Sequence, residues 1–203
     1  MSAINTPVPK PALLIRADAS LSIGTGHVMR CLALAEAAIA RGITCTVLSK
    51  DMPESLRKRA SAAGCDVLDL RSELYGDGDR EETAASAVEL SADWIIVDGY
   101  GFSSTYQKQL KGHGVHILWV DDYNHATPYS ADLVLNQNCY AEDCRDWYAG
   151  AKTLLGTQYV LLRSDILKQK PRESLPEKTM KHLSRSVVAI RTMSQQSCSR
   201  DCK

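Results

Sequence analysis

The segment Ser22-Ile23-Gly24-Thr25-Gly26-His27 sets two glycines beside a histidine, a combination suited to acid–base chemistry next to an anionic ligand. Glycines let the backbone approach a ligand closely. If a helix starts here, its first N–H groups and positive dipole end face anionic oxygen. An imidazole at that helix start has its charged form disfavoured, which leaves a neutral ring able to accept a proton near pH 7. The string is not a full dinucleotide fingerprint, because Met29 stands where the third glycine belongs, and no Walker lysine follows. The same residues also suit a merely tight turn carrying a half-exposed histidine. Arg30, one helical turn beyond Gly26, has the charge to pair with a phosphate or with a structural carboxylate.

Three more polar groups each close an apolar run. Asp98-Gly99-Tyr100 follows WIIV, Asp121-Asp122 follows HILWV, and Asn136-Gln137-Asn138 ends DLVLNQN. The carboxyl ends of strands in an open α/β sheet are where ligands bind, although each group also suits a polar turn. One of the two aspartates could receive a proton or orient His27, and the Asn136 to Asn138 amides satisfy turn backbone or reach a ligand. Adjacent carboxylates on an extended backbone point to opposite sides, so the acidic pair calls for no metal. Cys139 and Cys144 are five apart and Cys198 and Cys202 four apart, neither the usual spacing of a metal-binding pair. No metal and no cofactor are expected.

An alternation of strands and helices must place these groups. Apolar runs at 11–16, 43–48, 67–70, 94–97, 115–120 and 132–135 read as strands. Between them, Val28, Cys31, Leu32, Ala35 and Ile39 recur at helical spacing with Gly42 as a stop, and further helical stretches fall near 54–63, 80–91 and 103–112. WIIV and HILWV are apolar on both faces, as a parallel sheet covered on both sides requires. The expected fold is α/β, a Rossmann-like doubly wound parallel sheet. Residues 168–186 are polar, basic and carry two prolines, like a linker, which ends the expected domain near residue 170.

Composition narrows the partners. Lys+Arg and Asp+Glu are 24 each, for a net charge of zero, so the basic excess of a nucleic-acid or anionic-membrane binder is missing. No apolar run approaches the roughly 20 residues of a membrane span, and MSAINTPVPKP lacks the features of a signal peptide. A cytoplasmic protein is expected. Seven cysteines, an odd number mostly inside apolar patterns, suit buried thiols better than a disulfide framework. Oligomeric state is not legible.

The string IRADASLSIGTGHVMRCLALA, followed in order by Asp98-Gly99-Tyr100, Asp121-Asp122, DLVLNQN and Leu155 to Arg163 (LGTQYVLLR), resembles the UDP-sugar hydrolases of the pseudaminic acid pathway. These are relatives of MurG-type glycosyltransferases, and the resemblance covers residues 11 to 163. It implies the N-terminal half of a two-lobed GT-B enzyme that hydrolyses UDP-2,4-diacetamido-2,4,6-trideoxy-β-L-altropyranose to free sugar and UDP without a metal. It implies His27 as the base that activates water. Gly24, Thr25, Gly26, Arg30, Asp98, Tyr100, Asp122, Asn136 and Asn138 are the expected substrate-binding residues, with a UDP-linked acetamido sugar as ligand. A GT-B glycosyltransferase using a UDP-sugar donor, and a non-catalytic one-lobed remnant, stay open as alternatives.

The βα pattern stops after about residue 170. Read one base early, the codons of Ser186 to Ser194 can encode Gly-Gly-Ser-Asp-Pro-Asp-Asn-Val, which resembles the GGSDP signature opening the family's second lobe. The expectation is a Rossmann-like lobe over 1–170, an out-of-frame, disordered tail over 171–203, and no second lobe.

Overall fold

Strands that are apolar on both faces can be buried only between two layers of helix, and the chain meets that demand by winding outward from its first strand in both directions. The structure, a computed structural model, describes residues 10–20 and 23–169. The chain divides into two units, Met1–Ile166 and Leu167–Lys203, and the first contains the whole sheet. Its strands are β1 (Ala12–Ala17), β2 (Thr44–Ser49), β3 (Asp66–Asp69), β4 (Trp94–Asp98), β5 (His116–Val120), β6 (Leu133–Asn136) and β7 (Thr153–Leu155). They form one sheet in the order β3-β2-β1-β4-β5-β6-β7, parallel throughout. The connecting helices are α1 (Gly26–Ile39), α2 (Glu54–Ala62), α3 (Asp77–Glu89) and α4 (Ser104–Lys111), with a short α5 (Ser164–Leu167) near the end of the unit. This is the Rossmann-like doubly wound arrangement expected from the sequence.

Alternation along each strand divides the core in two. Leu14, Ile95, Val97, Ile117 and Trp119 share one cluster with Ala84 and Ala87 of α3 and Tyr106 and Leu110 of α4. Their neighbours Ile15, Ile96 and Val120 share the other with Val28, Leu32 and Ala35 of α1 and Leu56 and Ala60 of α2. Strand order reverses between β1 and β4, and the crevice outside their carboxyl ends is where such sheets take ligands.

Besides small shifts at the ends of other elements, three differences from the sequence reading have a physical reason. Helix α1 starts at Gly26 rather than Val28, and α3 at Asp77 rather than 80, because the opening residues Gly26-His27 and Asp77-Gly78-Asp79 are not apolar and give no periodic signal. In α3 the first turn carries Asp77 and Asp79, whose charge suits the helix dipole. Strand β7 has no counterpart among the apolar runs: its three residues are too few to show a period, and its pairing with β6 defines it.

One charged group lies inside the first cluster. Arg16, fully buried, donates from Nε and Nη2 to Asp79 at 2.8 and 2.7 Å and from Nη1 to Asp18 at 2.7 Å. Its guanidinium also sits 5.1 Å from the centre of the Phe102 ring. The Tyr106 hydroxyl donates to the same Asp79 carboxylate at 2.8 Å. One cation thus neutralises two buried carboxylates and ties β1 to α3.

Among the described cysteines, Cys31, Cys45, Cys65 and Cys144 are buried and Cys139 is exposed. Burial pushes the Cys45 thiol up to about 11 and the Cys65 thiol up to about 12, so both are inert near neutral pH. No described helix is long and apolar enough to cross a membrane. The expected out-of-frame tail, with Cys198 and Cys202, lies outside the described residues.

Removing one partner from a buried ion pair strands the other charge, at a cost of about 3–5 kcal/mol. Arg16→Ala should therefore lower unfolding stability by about that amount in urea titrations followed by circular dichroism. A loss under about 1 kcal/mol would show that Asp18 and Asp79 do not depend on it.

Candidate functional site

The loop from β1 to α1 turns on Gly24, whose φ of +82° lies in the left-handed region open to glycine and whose N–H donates to the Ser20 carbonyl at 2.8 Å. Apart from its chain neighbours and the backbone of α1, no described residue lies within 4 Å of where a Cβ would stand at Gly24 or at Gly26. Gly24, Thr25 and Gly26 are exposed. Thr25 is the N-cap residue and makes no side-chain capping bond, and the Met29 amide is the one that donates back to the Thr25 carbonyl. The amides of Gly26, His27 and Val28 have no acceptor within the helix. Among the described residues these N–H groups have no other acceptor either, and an anionic oxygen would fit at such a helix start.

Arg30, one turn into α1, reaches across the carboxyl ends of two strands. Nε and Nη2 donate to both oxygens of Asp98, the last residue of β4, at 2.6 and 2.7 Å. Nη1 donates to both oxygens of Asp122, just past β5, at 2.9 and 3.0 Å. Of the partners the sequence allowed Arg30, the structure supplies carboxylates. Asp98 is fully buried and also accepts from the Cys31 thiol at 3.4 Å, so it faces the fold.

Asp122 is the hub. Its carboxylate accepts from Arg30, from the Tyr100 hydroxyl at 2.7 Å and from Asn138 Nδ2 at 2.9 Å. Its backbone carbonyl accepts from Asn136 Nδ2 at 3.0 Å and from the Tyr140 hydroxyl at 2.7 Å. Burial works against its charge, but the hydrogen bonds and the Arg30 guanidinium hold its carboxyl below the usual carboxylate range. Tyr100 moves the opposite way: burial and the bond to Asp122 raise its hydroxyl above the ordinary tyrosine value. The Tyr100 proton is thus committed to Asp122, and its oxygen is left to accept from whatever lies beyond.

Asp121 points the other way, as adjacent residues of an extended chain do. It accepts from the Tyr148 hydroxyl and the Asn124 amide, each at 2.7 Å, and its Oδ1 lies 2.7 Å from Nδ1 of His125. Burial opposes its charge too, and these contacts with His125 and Tyr148 hold it low.

His27 is only 8% exposed. Its ring meets that of Tyr100 edge-on, centres 4.6 Å apart and planes at 87°. Among the described residues that is its one ring contact, and nothing hydrogen-bonds to either nitrogen. The expectation that Asp121 or Asp122 orients His27 is corrected here: Asp121 is taken by His125 and Asp122 by Arg30 and Tyr100, and Tyr100 braces the imidazole instead. The structure thus brings His27, Arg30, Asp98, Tyr100, Asp122, Asn136 and Asn138 into one cluster, with the loop of Gly24, Thr25 and Gly26 beside it. Asn136, fully buried, and Asp98 serve the cluster's interior. Gln137 is separate and accepts from the Leu161 amide.

No family model matches the chain. Over 164 residues it is 29% identical to the UDP-2,4-diacetamido-2,4,6-trideoxy-beta-L-altropyranose hydrolase of Campylobacter jejuni, a match covering 77% of this chain and 54% of that protein. The chain resembles half of that hydrolase. Among solved structures, a glycosyltransferase of Rickettsia africae superposes with a TM-score of 0.54 at 13% identity, covering 89% of this chain and 50% of that one. MurG of Acinetobacter baumannii matches with a TM-score of 0.48 at 15% identity, over 81% of this chain and 50% of that one. The chain spans about half the length of the hydrolase and of these two structures. The fold, a Rossmann-like doubly wound α/β sheet, is one that half of the Rickettsia africae glycosyltransferase shares.

Tyr123, His125, Tyr140 and Tyr148 complete the cluster and stand outside the motifs of the sequence. His125, four residues after Asp121, carried a faint signal of spacing. The tyrosines carried none, since their roles depend on where the 121–132 loop and the 3-10 helix Arg145–Tyr148 fold back.

The carboxyls of Asp79, Asp121 and Asp122 all titrate below their ordinary value when folded. Their stabilisation is complete above the unfolded value of about 3.9 and is lost as pH falls through the folded values. Urea unfolding midpoints should hold steady above about pH 5 and drop steeply below about pH 4, and Asp122→Asn should make the drop shallower. An acid limb identical in wild type and Asp122→Asn would remove Asp122 from the stabilising set.

Proposed function

We propose that this chain carries the water-activating and sugar-binding half of a cytoplasmic enzyme that hydrolyses a UDP-linked diacetamido-trideoxy sugar to free sugar and UDP. The observation that carries the reading is His27: an imidazole at the start of α1, with both nitrogens unclaimed among the described residues, set beside a glycine loop with bare amides. The similarity to the hydrolase supplies the substrate class.

In this reading, His27 takes a proton from a water that attacks the anomeric carbon, and the bond between that carbon and the diphosphate oxygen breaks. The uridine is held by a second lobe, which a form of the protein extended by a nucleotide-binding lobe supplies. The amides of Gly26 and its neighbours favour the negative charge that gathers on the leaving diphosphate. Arg30 acts through Asp122, fixing the Tyr100 hydroxyl so that its oxygen accepts from an N–H of the sugar's acetamido groups. Asn138 holds the other side of the same carboxylate. No step is routed through a metal ion. A glycosyltransferase would use the same base on a sugar hydroxyl, and acceptor-independent release of UDP separates the two.

A positioned general base contributes about 10² to 10⁴ in rate. In a form of the protein extended by a nucleotide-binding lobe, His27→Asn should lower kcat by about that factor with UDP affinity nearly unchanged. In ¹⁸O water the label should enter the sugar. Label in UDP would mean attack at phosphorus, and full activity in His27→Asn would remove the histidine from the chemistry. The 203-residue chain alone should release no measurable UDP.

A further inference from the structure

Two of the large side chains left exposed on the described surface are neighbours. Tyr100 and Tyr123 are 50% and 51% exposed, and their ring centres lie 5.1 Å apart with planes tilted by 54°. A tyrosine that serves only the fold buries its ring and keeps the hydroxyl wet. Here two rings stand half out of the fold, side by side, next to His27.

Both rings are braced from their buried side. His27 meets Tyr100 edge-on. His125, its side chain only 8% exposed, lies edge-on to Tyr100 at 5.8 Å and tilted against Tyr123 at 5.3 Å. Asp121 Oδ1 lies 2.7 Å from Nδ1 of His125, and Tyr148 and Asn124 fix Asp121. The tyrosine pair is therefore a supported surface whose cost in exposed ring area is not repaid by the fold itself.

We infer that Tyr123 is a ligand-contacting residue that forms, with Tyr100, a stacking face for the apolar side of the sugar, and that this face selects sugars whose hydroxyls are replaced by hydrogen, methyl or acetamido groups. The inference rests on the substrate class proposed above and adds a residue and a basis for selection to it. An ordinary hexose surrounds its ring with hydroxyls that need water or hydrogen-bond partners, and the Tyr100 hydroxyl has no proton to spare. A 2,4,6-trideoxy sugar with two acetamido groups presents C–H bonds and three methyl groups, which lose nothing when pressed on aromatic carbon. The acetamido N–H groups find an acceptor in the Tyr100 oxygen.

The test is saturation-transfer NMR on the 203-residue chain. The probes are free 2,4-diacetamido-2,4,6-trideoxyhexose, N-acetylglucosamine as the more hydroxylated comparator, and UDP alone. Saturation should reach the C6 and acetamido methyls of the trideoxy sugar, with weaker transfer to N-acetylglucosamine. Tyr123→Ala should raise the Kd for the trideoxy sugar by about fivefold, while Tyr123→Phe, which keeps the ring, should stay near wild type. Circular dichroism confirms that each variant is folded. No transfer to the trideoxy sugar in wild type, equal or stronger transfer to N-acetylglucosamine, or an unchanged Kd in Tyr123→Ala would overturn the inference. Because the probe is free sugar, absence of hydrolysis does not affect this result. Conversely, turnover in the extended form with an unchanged KM in Tyr123→Ala would sink the stacking face and leave the hydrolase reading standing.

Discussion

A guanidinium shared between two carboxylates holds the candidate site together. Arg30 leaves α1 with a planar fork of donors, and the fork is filled by Asp98 from the end of β4 and Asp122 from beyond β5. Bidentate pairing fixes direction as well as distance, so helix, fourth strand and fifth strand meet at one defined geometry. Without the carboxylates the cation would be stranded at a poorly hydrated position, and without the cation Asp98 would be a fully buried, unneutralised charge. Each partner is tolerable only because the others are present. Tyr100, Asn138 and, through Tyr100, the stance of His27 all depend on this arrangement.

The sheet makes the arrangement available. Parallel strands deliver their carboxyl ends to one edge, and the reversal of strand order at β1 and β4 opens a crevice there. At the same edge, just beyond β5, the adjacent Asp121 and Asp122 send their side chains in opposite directions. Asp122 serves the arginine and the exposed tyrosine, while Asp121 serves the His125 ring and the Tyr148 hydroxyl. One dipeptide thus supports two layers of the site, the polar clamp and the aromatic brace. Arg16 repeats the motif of one cation between two carboxylates on the other side of the sheet, where it joins β1 to α3.

Much of this was legible in the residues. Strand and helix succession follows from apolar runs such as WIIV and HILWV and from the spacing of Val28, Cys31, Leu32, Ala35 and Ile39, because burial on two faces leaves a local record. The positions of Asp98, Tyr100, Asp122 and Asn136 at the carboxyl edge were legible for the same reason, each following or closing a run, and that of His27 from its place between the first strand and the first helix. Who pairs with whom was not. Arg30 stands 68 and 92 residues from its partners, and a separation of that size leaves no trace in a local pattern. Strand β7 and the return of Tyr148 to Asp121 are likewise products of long-range closure. The brace of His27 by an aromatic edge rather than by a carboxylate came from the same source, since it is the prior commitment of both aspartates that leaves the imidazole to Tyr100.

The empty space over Gly26 gives this site an unusual property. Gly26 opens helix α1, and among the described residues outside that helix's own backbone none lies within 4 Å of where an added methyl would stand. For the folded protein alone, glycine there is dispensable, and the helix would accept alanine without strain. A constraint on that position that the described residues do not impose points to whatever occupies the volume above it. A single carbon atom separates the requirements of folding from those of recognition, which makes Gly26 a ruler for how near a ligand comes to the helix end.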